Sequence, residues 1–214
     1  MNSVSTAVIP NRRGRPRSEA AKAAILGAAD AILREQGLRE MSIDAVAHRA
    51  GVSKATIYRW WRSKADLALD TFLQDVGTRV PLVDTGSLAG DMRARARATA
   101  RAYSSQELGP VLAALIGEAQ ADPDFAIAFR DRVVRPLREG SLEIFKRAMA
   151  RGEIAEDTAI EVVLDMLMAP IYYRLLLRTG RIDTHFADRL VDILLAALSP
   201  RKVDSGGGGT GETA

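Results

Sequence analysis

The side chains that could do chemistry are concentrated in the segment from Ser42 to Trp61, SIDAVAHRAGVSKATIYRWW. Ser42 and Ser53 are typical helix N-caps, because a serine hydroxyl accepts a hydrogen bond from a free amide of the first turn. Gly51 lies between them and permits a left-handed turn. Two capped short helices around a glycine turn predict a helix-turn-helix motif over residues 42–61, whose second helix enters the major groove of DNA.

The second helix of this motif carries polar side chains suited to contacts with DNA. Ala55 is small and permits close approach, whereas Thr56 can hydrogen-bond a base edge or touch a thymine methyl group. Arg59 can reach a guanine or a phosphate, and Lys54 and Tyr58 suit phosphate oxygens. The side chains alone do not decide which of them reads bases and which holds phosphates.

The elements that must position these residues are helices, because the sequence is rich in alanine, leucine, arginine and glutamate and poor in strand signals. Apolar residues at helical spacing predict a first helix from about Ser18 to Gln36, which Gly37 would end. Further along, Arg93, Arg97 and Arg101 would share one solvated helix face. We therefore expect an all-α fold.

Four prolines divide the C-terminal part of the chain. Pro110 and Pro123 are expected at the first position of a helix, where the missing N–H costs nothing. Pro136 and Pro170 fall inside apolar helical patterns and are expected to kink or break the helix. Kinked helices pack less evenly and can leave a cavity.

Positive charge is concentrated towards the N-terminus. The whole chain has a net charge of +3, but residues 12–64 carry twelve lysines and arginines against five acidic residues, a balance of +7 that leaves −4 for the remainder. A basic module joined to an acidic body is typical of a protein with one polyanion-binding domain, since phosphate neutralisation supplies most non-specific affinity for DNA. The alternative is a basic surface without a ligand.

An arginine-rich segment precedes the first helix. Arg13-Gly-Arg-Pro-Arg17 has the shape of an AT-hook core, in which Arg13, Arg15 and Arg17 would lie in a narrow, A·T-rich minor groove. The alternative is an arm that touches phosphates without sequence preference. Either arrangement would strengthen DNA binding.

The segment Gly51 to Leu67, GVSKATIYRWWRSKADL, resembles the signature of the TetR family of transcriptional regulators, over about residues 19–79. The resemblance implies an N-terminal three-helix DNA-binding domain and a larger C-terminal helical domain for effector binding and dimerisation, about nine helices in all. It further implies phosphate contacts by Ser42, Tyr58, Trp60 and Lys64 and base contacts by Lys54, Ala55, Thr56 and Arg59. Trp60-Trp61 departs from the commoner His-Phe or Tyr-Phe pair, so an indole N–H would replace a hydroxyl contact at position 60.

These inferences define a set of predicted DNA-binding residues and four regions of the chain. The predicted contacts within the motif are Ser42, Ser53, Lys54, Ala55, Thr56, Tyr58, Arg59, Trp60 and Lys64. We predict a flexible basic arm over residues 1–18, the DNA-binding domain over 19–79, the effector-binding and dimerisation domain over 80–203, and a disordered glycine-rich tail over 204–214.

The last two predicted helices, about Asp157 to Arg178 and Thr184 to Leu198, are apolar on more than one face. One face can pack within the subunit and another against a second copy, so we expect a two-fold homodimer. The alternative is a pair of helices buried in a monomer core. The predicted interface residues are Tyr172, Phe186, Leu190 and Leu194.

The segment RGEIAEDTAIEVVLDMLMAPIYYRLLL resembles a C-terminal domain of many TetR-family members, which implies dimerisation through the last two helices and an effector cavity in each subunit. An apolar residue on such helices can equally belong to the ordinary core. The predicted cavity residues are Tyr103, Leu112, Ile116, Phe125, Phe129, Met166, Tyr172 and Tyr173.

No pattern indicates catalysis. The chain has no cysteine, which excludes disulfides, thiolate metal sites and cysteine nucleophiles. His48 and His185 match no metal or triad pattern and are expected at the surface. The run Gly206 to Gly209 lacks the following helix that a phosphate-binding loop needs. We predict a protein that is not an enzyme and has no metal or cofactor.

No membrane role is indicated either. The most hydrophobic stretch, Val162 to Leu177, is interrupted by Asp165, Pro170 and Arg174 and is shorter than the roughly 20 residues that span a bilayer. The first 18 residues do not resemble a secretion signal, because their arginines follow the apolar residues. We expect a cytoplasmic bacterial protein that associates with the nucleoid when it binds DNA.

The sequence thus leads to two functional hypotheses. The first is a dimeric repressor that binds double-stranded DNA at a palindromic operator, with recognition helices about 34–36 Å apart, and is released by a small-molecule effector of unknown identity. The alternative is an architectural dimer that coats or bends DNA without an effector.

Overall fold

The computed structural model describes the backbone of residues 15–198 and the side chains of residues 18–198. The side chains of Arg13, Arg15 and Arg17 and the segment 204–214 lie outside this description, so the predicted arm and tail stay predictions. Within the described residues every regular element is helical, which confirms the all-α fold class. No helix in this part of the chain combines the length and the apolar character needed to cross a bilayer.

The helices follow one another as α1 (Arg15–Glu40), α2 (Ile43–Ala50), α3 (Lys54–Tyr58), α4 (Lys64–Arg79), α5 (Leu88–Ser104), α6 (Gly109–Ala121), α7 (Pro123–Phe129), α8 (Arg135–Ala150), α9 (Ile160–Leu177) and α10 (Thr184–Leu198). A π-helical turn, Arg130–Val134, joins α7 to α8 without a break. If this continuous segment is counted as one, the described residues form nine helices, as expected.

Gly37 interrupts α1. Its φ of 78° and ψ of 173° are non-helical, which confirms the predicted stop. The Lys64 ammonium, at the start of α4, donates hydrogen bonds to the carbonyl oxygens of Leu38 (3.1 Å), Arg39 (2.9 Å) and Met41 (3.2 Å). A cation satisfies the carbonyls that a helix end leaves free, so the end of α1 is fastened to the start of α4.

The four N-terminal helices share an apolar core, in which α1 packs against α4 and α2, and α3 packs against α2. Ile25 of α1, Val46 of α2, Ile57 of α3 and Leu67 of α4 are fully buried in it. Burying a side chain of this size stabilises the fold by about 1.5–3 kcal/mol. Because α3 has only five residues and would be unstable alone, this core determines its position.

Helix α5 runs through the C-terminal half and packs extensively against α10. Arg93 Nη2 lies 2.7 Å from Asp192 Oδ1, and Arg97 Nε lies 2.6 Å from Asp188 Oδ1. The sequence pattern predicted a solvated face for these arginines. Arg97 and Arg101 are exposed and Arg93 is half-buried, so this face is largely solvated as predicted. Arg93 and Arg97 also pair with α10, because its two aspartates lie opposite them at the same spacing of one helical turn.

Two of the four prolines stand where they were predicted, since Pro110 and Pro123 lie in the first turns of α6 and α7. Pro136 and Pro170 do not end their helices. Pro170 lies inside α9, which continues through it, and Pro136 is the second residue of α8, which begins directly after the π-helical turn. A π turn is one way in which a helix adjusts where proline removes a backbone hydrogen bond.

The two halves of the chain meet where α1 and α4 contact α6. Arg34 of α1 lies 2.9 Å from Asp75 of α4 and 2.5 Å from Glu107, which precedes α6. Arg79, at the end of α4, pairs with the same Glu107. These ion pairs tie the helix-turn-helix half to the rest of the molecule.

Candidate DNA-binding surface and effector cavity

The predicted helix-turn-helix motif is present at residues 42–61. Ser42 Oγ accepts a hydrogen bond from the Ala45 amide at 3.1 Å, and Ser53 Oγ accepts one from the Thr56 amide at 3.2 Å. Gly51 adopts a left-handed conformation with φ 65° and ψ 34°, which a side chain would make unfavourable. Both caps and the turn are therefore those that the sequence predicted.

Helix α3 is buried on one side and open on the other. Lys54, Ala55, Tyr58 and Arg59 are exposed, whereas Ile57 is fully buried. Thr56, another predicted base contact, is half-buried. The exposed side of α3 thus presents four of the residues that the sequence predicts to contact DNA.

Two of these residues already have partners on the protein. The Lys54 ammonium lies 2.6 Å from Asp44 Oδ1, and this hydrogen bond raises the pKa of Lys54. The hydroxyl of Thr56 lies 2.9 Å from that of Ser53. Asp44 was not singled out from the sequence, because an acidic residue near the start of a helix is common for its favourable interaction with the helix dipole.

The tandem tryptophans after α3 have different environments. Trp60 is half-buried, with the Arg59 guanidinium 4.6 Å above its ring, within the range of a cation–π interaction. Trp61 is buried, and its indole N–H donates to Asp70 Oδ2 at 2.8 Å. The half-buried Trp60 is therefore the one left near the surface, at the position predicted to contact phosphate.

Asp70 joins three elements of the molecule. Its second carboxylate oxygen pairs with Arg132, which belongs to the π-helical turn between α7 and α8. The same carboxylate thus contacts the end of the helix-turn-helix through Trp61 and the C-terminal half through Arg132. Nothing in the sequence pattern of α4 predicts this role, since it depends on which helices meet there.

A cavity of about 260 Å³ lies in the C-terminal half of the molecule. Its wall is mainly apolar, with a few charged and hydroxyl groups. The lining residues are Val80, Arg95, Thr99, Tyr103, Val134, Leu137, Arg138, Ser141, Leu164, Asp165, Met168, Ala169 and Tyr172. An apolar cavity with a few converging polar groups is typical of a small-molecule site.

Tyr103 and Tyr172 are the two predicted cavity residues that line this space. Their ring centroids are 6.1 Å apart. Burial raises the pKa of Tyr103 well above its ordinary range, and the neighbouring Tyr172 acts in the same direction. Burial also raises the pKa of Tyr172, so both groups are neutral phenols at physiological pH, able to donate a hydrogen bond or to accept one.

The other six predicted cavity residues lie elsewhere. Leu112, Phe125 and Phe129 are buried and belong to the core, and Ile116 packs against it. Met166 and Tyr173 are exposed on α9. Their side chains are as apolar as those of Leu137 and Leu164, so only the packing of the helices decides which of them reach the cavity.

The predicted dimer helices α9 and α10 keep part of their apolar surface uncovered. Tyr172 lines the cavity and Leu194 is buried in the subunit's own core, whereas Phe186 and Leu190 are half-buried. Apart from Leu176, the large exposed apolar residues of α9 recur on one face and form what we call the α9 patch, which consists of Val162, Met166, Tyr173 and Leu177. On α10, Ile193 is 62% exposed.

The histidines add no site to this picture. His48 and His185 are both exposed, as predicted. Within residues 18–198 no three histidine, cysteine or acidic side chains are grouped so that they could hold a metal ion.

The fold and the motif define a helix-turn-helix DNA-binding protein with a separate helical domain. Residues 25–71 match the family described as bacterial regulatory proteins, tetR family. Residues 82–194 match the tetracyclin repressor-like C-terminal domain. The chain therefore belongs to the TetR family of DNA-binding transcriptional regulators, as the sequence resemblance predicted.

Individual relatives agree with this assignment. The chain is 39% identical to the uncharacterized HTH-type transcriptional regulator YdeS of Bacillus subtilis, over 85% of this chain and 91% of that protein. It is 34% identical to the DNA-binding transcriptional repressor TetR of Mycobacteroides abscessus, over 86% and 97% of the two chains. The crystal structure of the TetR family transcription regulator SCO0332 superposes with a TM-score of 0.74 at 34% identity, over 84% of this chain and 99% of that one.

Proposed function

We propose that this TetR-family regulator is a homodimeric repressor, which binds a palindromic operator and is released when a small molecule occupies the cavity. In this proposal residues 19–79 bind DNA and residues 80–203 bind the effector and a second subunit. The name of its Mycobacteroides relative, a transcriptional repressor, supports the sign of regulation.

The exposed side of α3 is the proposed DNA-reading surface. Ala55, Thr56 and Arg59 face the bases, while Tyr58 and Trp60 face phosphates. Lys54 exchanges its exposed Asp44 partner for a phosphate when DNA binds, because both partners are open to solvent and such a pair is worth little on its own. Sequence discrimination then comes from the base-facing residues, and salt-dependent affinity from the cations.

The α9 patch is the proposed contact between subunits. Four large apolar side chains on one helix face, together with Ile193, form a surface that a monomer would leave in water. In a two-fold dimer the same patch is used by both subunits. Such a dimer sets the distance between two α3 helices, which must match the spacing of successive major grooves, about 34 Å.

One observation carries the proposal of release by a small molecule: the π-helical turn borders the cavity and also contacts the DNA-binding half. Val134 of this turn lines the cavity, and Arg132 of the same turn pairs with Asp70, which holds Trp61. An effector that binds better to a shifted position of the turn moves the Trp61 end of the helix-turn-helix. The effector binds the shifted form more tightly than the DNA-binding form. The loss of operator-binding free energy cannot exceed the difference between these two effector-binding free energies.

The proposal is tested by selection of bound DNA from a genomic library at about 150 mM salt, followed by footprinting of the winning site. We expect a short inverted repeat, protected at nanomolar concentration. The matched control is the Thr56→Ala variant, which should lose enrichment of the repeat but retain weak general binding. Protection of long A·T-rich regions without a repeat would instead support an architectural protein and overturn the repressor.

A further inference from the structure

We propose that the cavity binds a compact, largely apolar carboxylic acid, whose carboxylate pairs with Arg95. This inference rests on the proposed function, in which that cavity is the effector site. It specifies the chemical class of the effector and the residue that selects it.

Arg95 is a buried cation without an acidic partner. The residue is buried, with an exposed fraction of 7%. The guanidinium donates to the carbonyl oxygens of Val80 at 2.8 Å and Leu137 at 3.0 Å. No carboxylate among the described residues forms an ion pair with it. Carbonyl oxygens carry only partial charge, so the cost of removing this cation from water is incompletely offset.

Two other arginines of α5 can be compared with Arg95. Arg93 and Arg97 are both more exposed than Arg95, yet each pairs with an aspartate of α10. The least solvated arginine of the three is thus the one without a counter-charge. Burial also lowers the pKa of Arg95, as expected for a cation that lacks an anion. A ligand that supplies the anion would remove this penalty.

The other charges at the cavity already have partners. Arg138 Nη1 lies 2.6 Å from Asp165 Oδ1, and Arg138 also pairs with Glu161. Asp165 therefore does not present an unopposed negative charge to an incoming acid. Arg95 is the cavity cation that remains to be neutralised by the ligand.

The hydrogen-bonding capacity of this wall suits a carboxylate. A guanidinium has five N–H donors, and two of the Arg95 donors are used by the protein. Thr99 and Tyr103 follow Arg95 on α5 at intervals of four residues and line the same cavity. The three residues thus lie on one face of α5, an arrangement in which they can share one anionic group.

The remaining wall fixes the size and polarity of the ligand. Leu137, Leu164 and Met168 are apolar and line the space beyond the polar groups of α5. At about 260 Å³ the cavity is at the small end for a ligand site. A carboxylate needs one arginine and one or two hydroxyls, and this wall provides them in Arg95, Thr99 and Tyr103.

The test uses pairs of probes that differ only in charge: octanoate with octanamide, and 3-phenylpropionate with 3-phenylpropanamide. Binding to the full-length protein is measured by isothermal titration calorimetry at pH 7.5. We expect each acid to bind at least about tenfold more tightly than its amide, since a hydrogen-bonded charge pair in an enclosed site is worth more than a neutral hydrogen bond.

Two variants then identify the residue. Arg95→Gln should reduce acid affinity about tenfold or more and leave amide affinity nearly unchanged. Arg95→Lys, which keeps the charge but not the planar fork, should restore part of the acid preference. The matched control is Arg97→Gln, which removes a cation from the same helix and should alter neither affinity. Circular dichroism and the melting temperature establish that each variant is folded.

Equal affinity for acids and amides would overturn the inference, and so would acid binding that survives Arg95→Gln in a folded protein. Neither result would contradict the proposal that the cavity is the effector site. Failure of both probe series to bind would also overturn it. The proposed function is judged separately, by selection of operator DNA without any ligand. If the acids bind through Arg95 but do not change operator affinity, the assignment of the ligand class is supported. The proposal that a ligand in the cavity releases the protein from DNA is then contradicted.

Discussion

The indole N–H of Trp61 donates to the carboxylate of Asp70 across 2.8 Å, and that carboxylate also receives Arg132 from the other half of the molecule. Trp61, the last residue of the helix-turn-helix motif, is thereby joined to the π-helical turn, which borders the cavity. The two halves of this regulator thus meet in this polar contact as well as in the ion pairs of Arg34 and Arg79 with Glu107.

Arg132→Gln is the first test of this junction. We expect operator affinity to fall, because the variant loses a contact that positions the Trp61 end of the helix-turn-helix. A coupling of about 0.5–2 kcal/mol corresponds to roughly 2- to 30-fold. Fluorescence anisotropy with labelled operator measures it. The control is Arg135→Gln, one turn away, where the lost partner is only Asp131 of the same helical segment. Equal effects of the two variants would rule out a special role for Arg132.

Lys64→Ala and Thr56→Ala should separate stability from recognition. Lys64 holds three carbonyl oxygens at the end of α1, so its removal should destabilise the protein by about 1–3 kcal/mol and weaken binding to all DNA sequences together. Thr56→Ala should leave the free energy of unfolding nearly unchanged and weaken the operator selectively. Urea denaturation and competition with non-specific DNA measure the two effects. A Lys64→Ala protein of unchanged stability would contradict this account.

Asp44→Ala should strengthen general DNA binding. The variant frees Lys54 from its 2.6 Å ion pair and removes one negative charge from the proposed DNA face. We expect non-specific affinity to rise severalfold at low salt and the gain to shrink as salt screens the charge. Asp192→Ala, which removes an acid from α10, provides the control and should have little effect. Binding measured between about 50 and 200 mM salt distinguishes them.

Asp91 should make stability depend on pH in the acidic range. It is fully buried, and burial alone would raise its pKa, but hydrogen bonds from Thr85 and Arg147 outweigh burial and hold the pKa below its ordinary value. A carboxyl whose pKa is lower in the folded state stabilises the fold above the unfolded pKa, about 3.9, and loses this contribution as the pH falls through the folded pKa.

The Asp91→Asn variant tests this assignment. It should be less stable than wild type by on the order of 3 kcal/mol at pH 7, and the difference should narrow below about pH 4. Glu143→Gln, at an exposed acid 3.7 Å from Lys146, should show neither effect. Thermal unfolding at several pH values checks both variants. A difference that stays constant down to pH 2 would remove Asp91 from the acid response.

Met166→Glu should convert the proposed dimer into monomers, because it places a charge in the α9 patch of both subunits. Light scattering after size exclusion gives the mass. The matched control is Ile127→Glu, since Ile127 is 50% exposed on α7 and Met166 is 49% exposed on α9. If Met166→Glu leaves the mass unchanged, or if both variants dissociate, the patch is not the subunit contact.

The features that could be predicted from the sequence are those that depend on interactions between residues close together in the chain. Ser42, Gly51 and Ser53 act within one turn of their own position, so their types and spacing were sufficient to locate the motif. The cavity depends on contacts between distant segments. Arg93, Arg95 and Arg97 alternate in one short sequence, and only the packing of α5 against Val80 and Leu137 distinguishes the buried one. The contacts of Lys64 with the end of α1 and of Asp70 with Trp61 and Arg132 could not be predicted from the sequence for the same reason.

The uninterrupted segment from α7 to α8 has a mechanical consequence. It carries Arg132, paired with Asp70 at the DNA-binding half, and Arg147, 3.1 Å from the buried Asp91 of α5. At 1.5 Å of rise per residue the two arginines are separated by about 22 Å along the axis. If the Arg147 end acts as a pivot, a tilt of about 5° displaces the Arg132 end by about 2 Å over that length. In the proposed release mechanism, a displacement of this size at Arg132 is enough to break the hydrogen bond between Trp61 and Asp70.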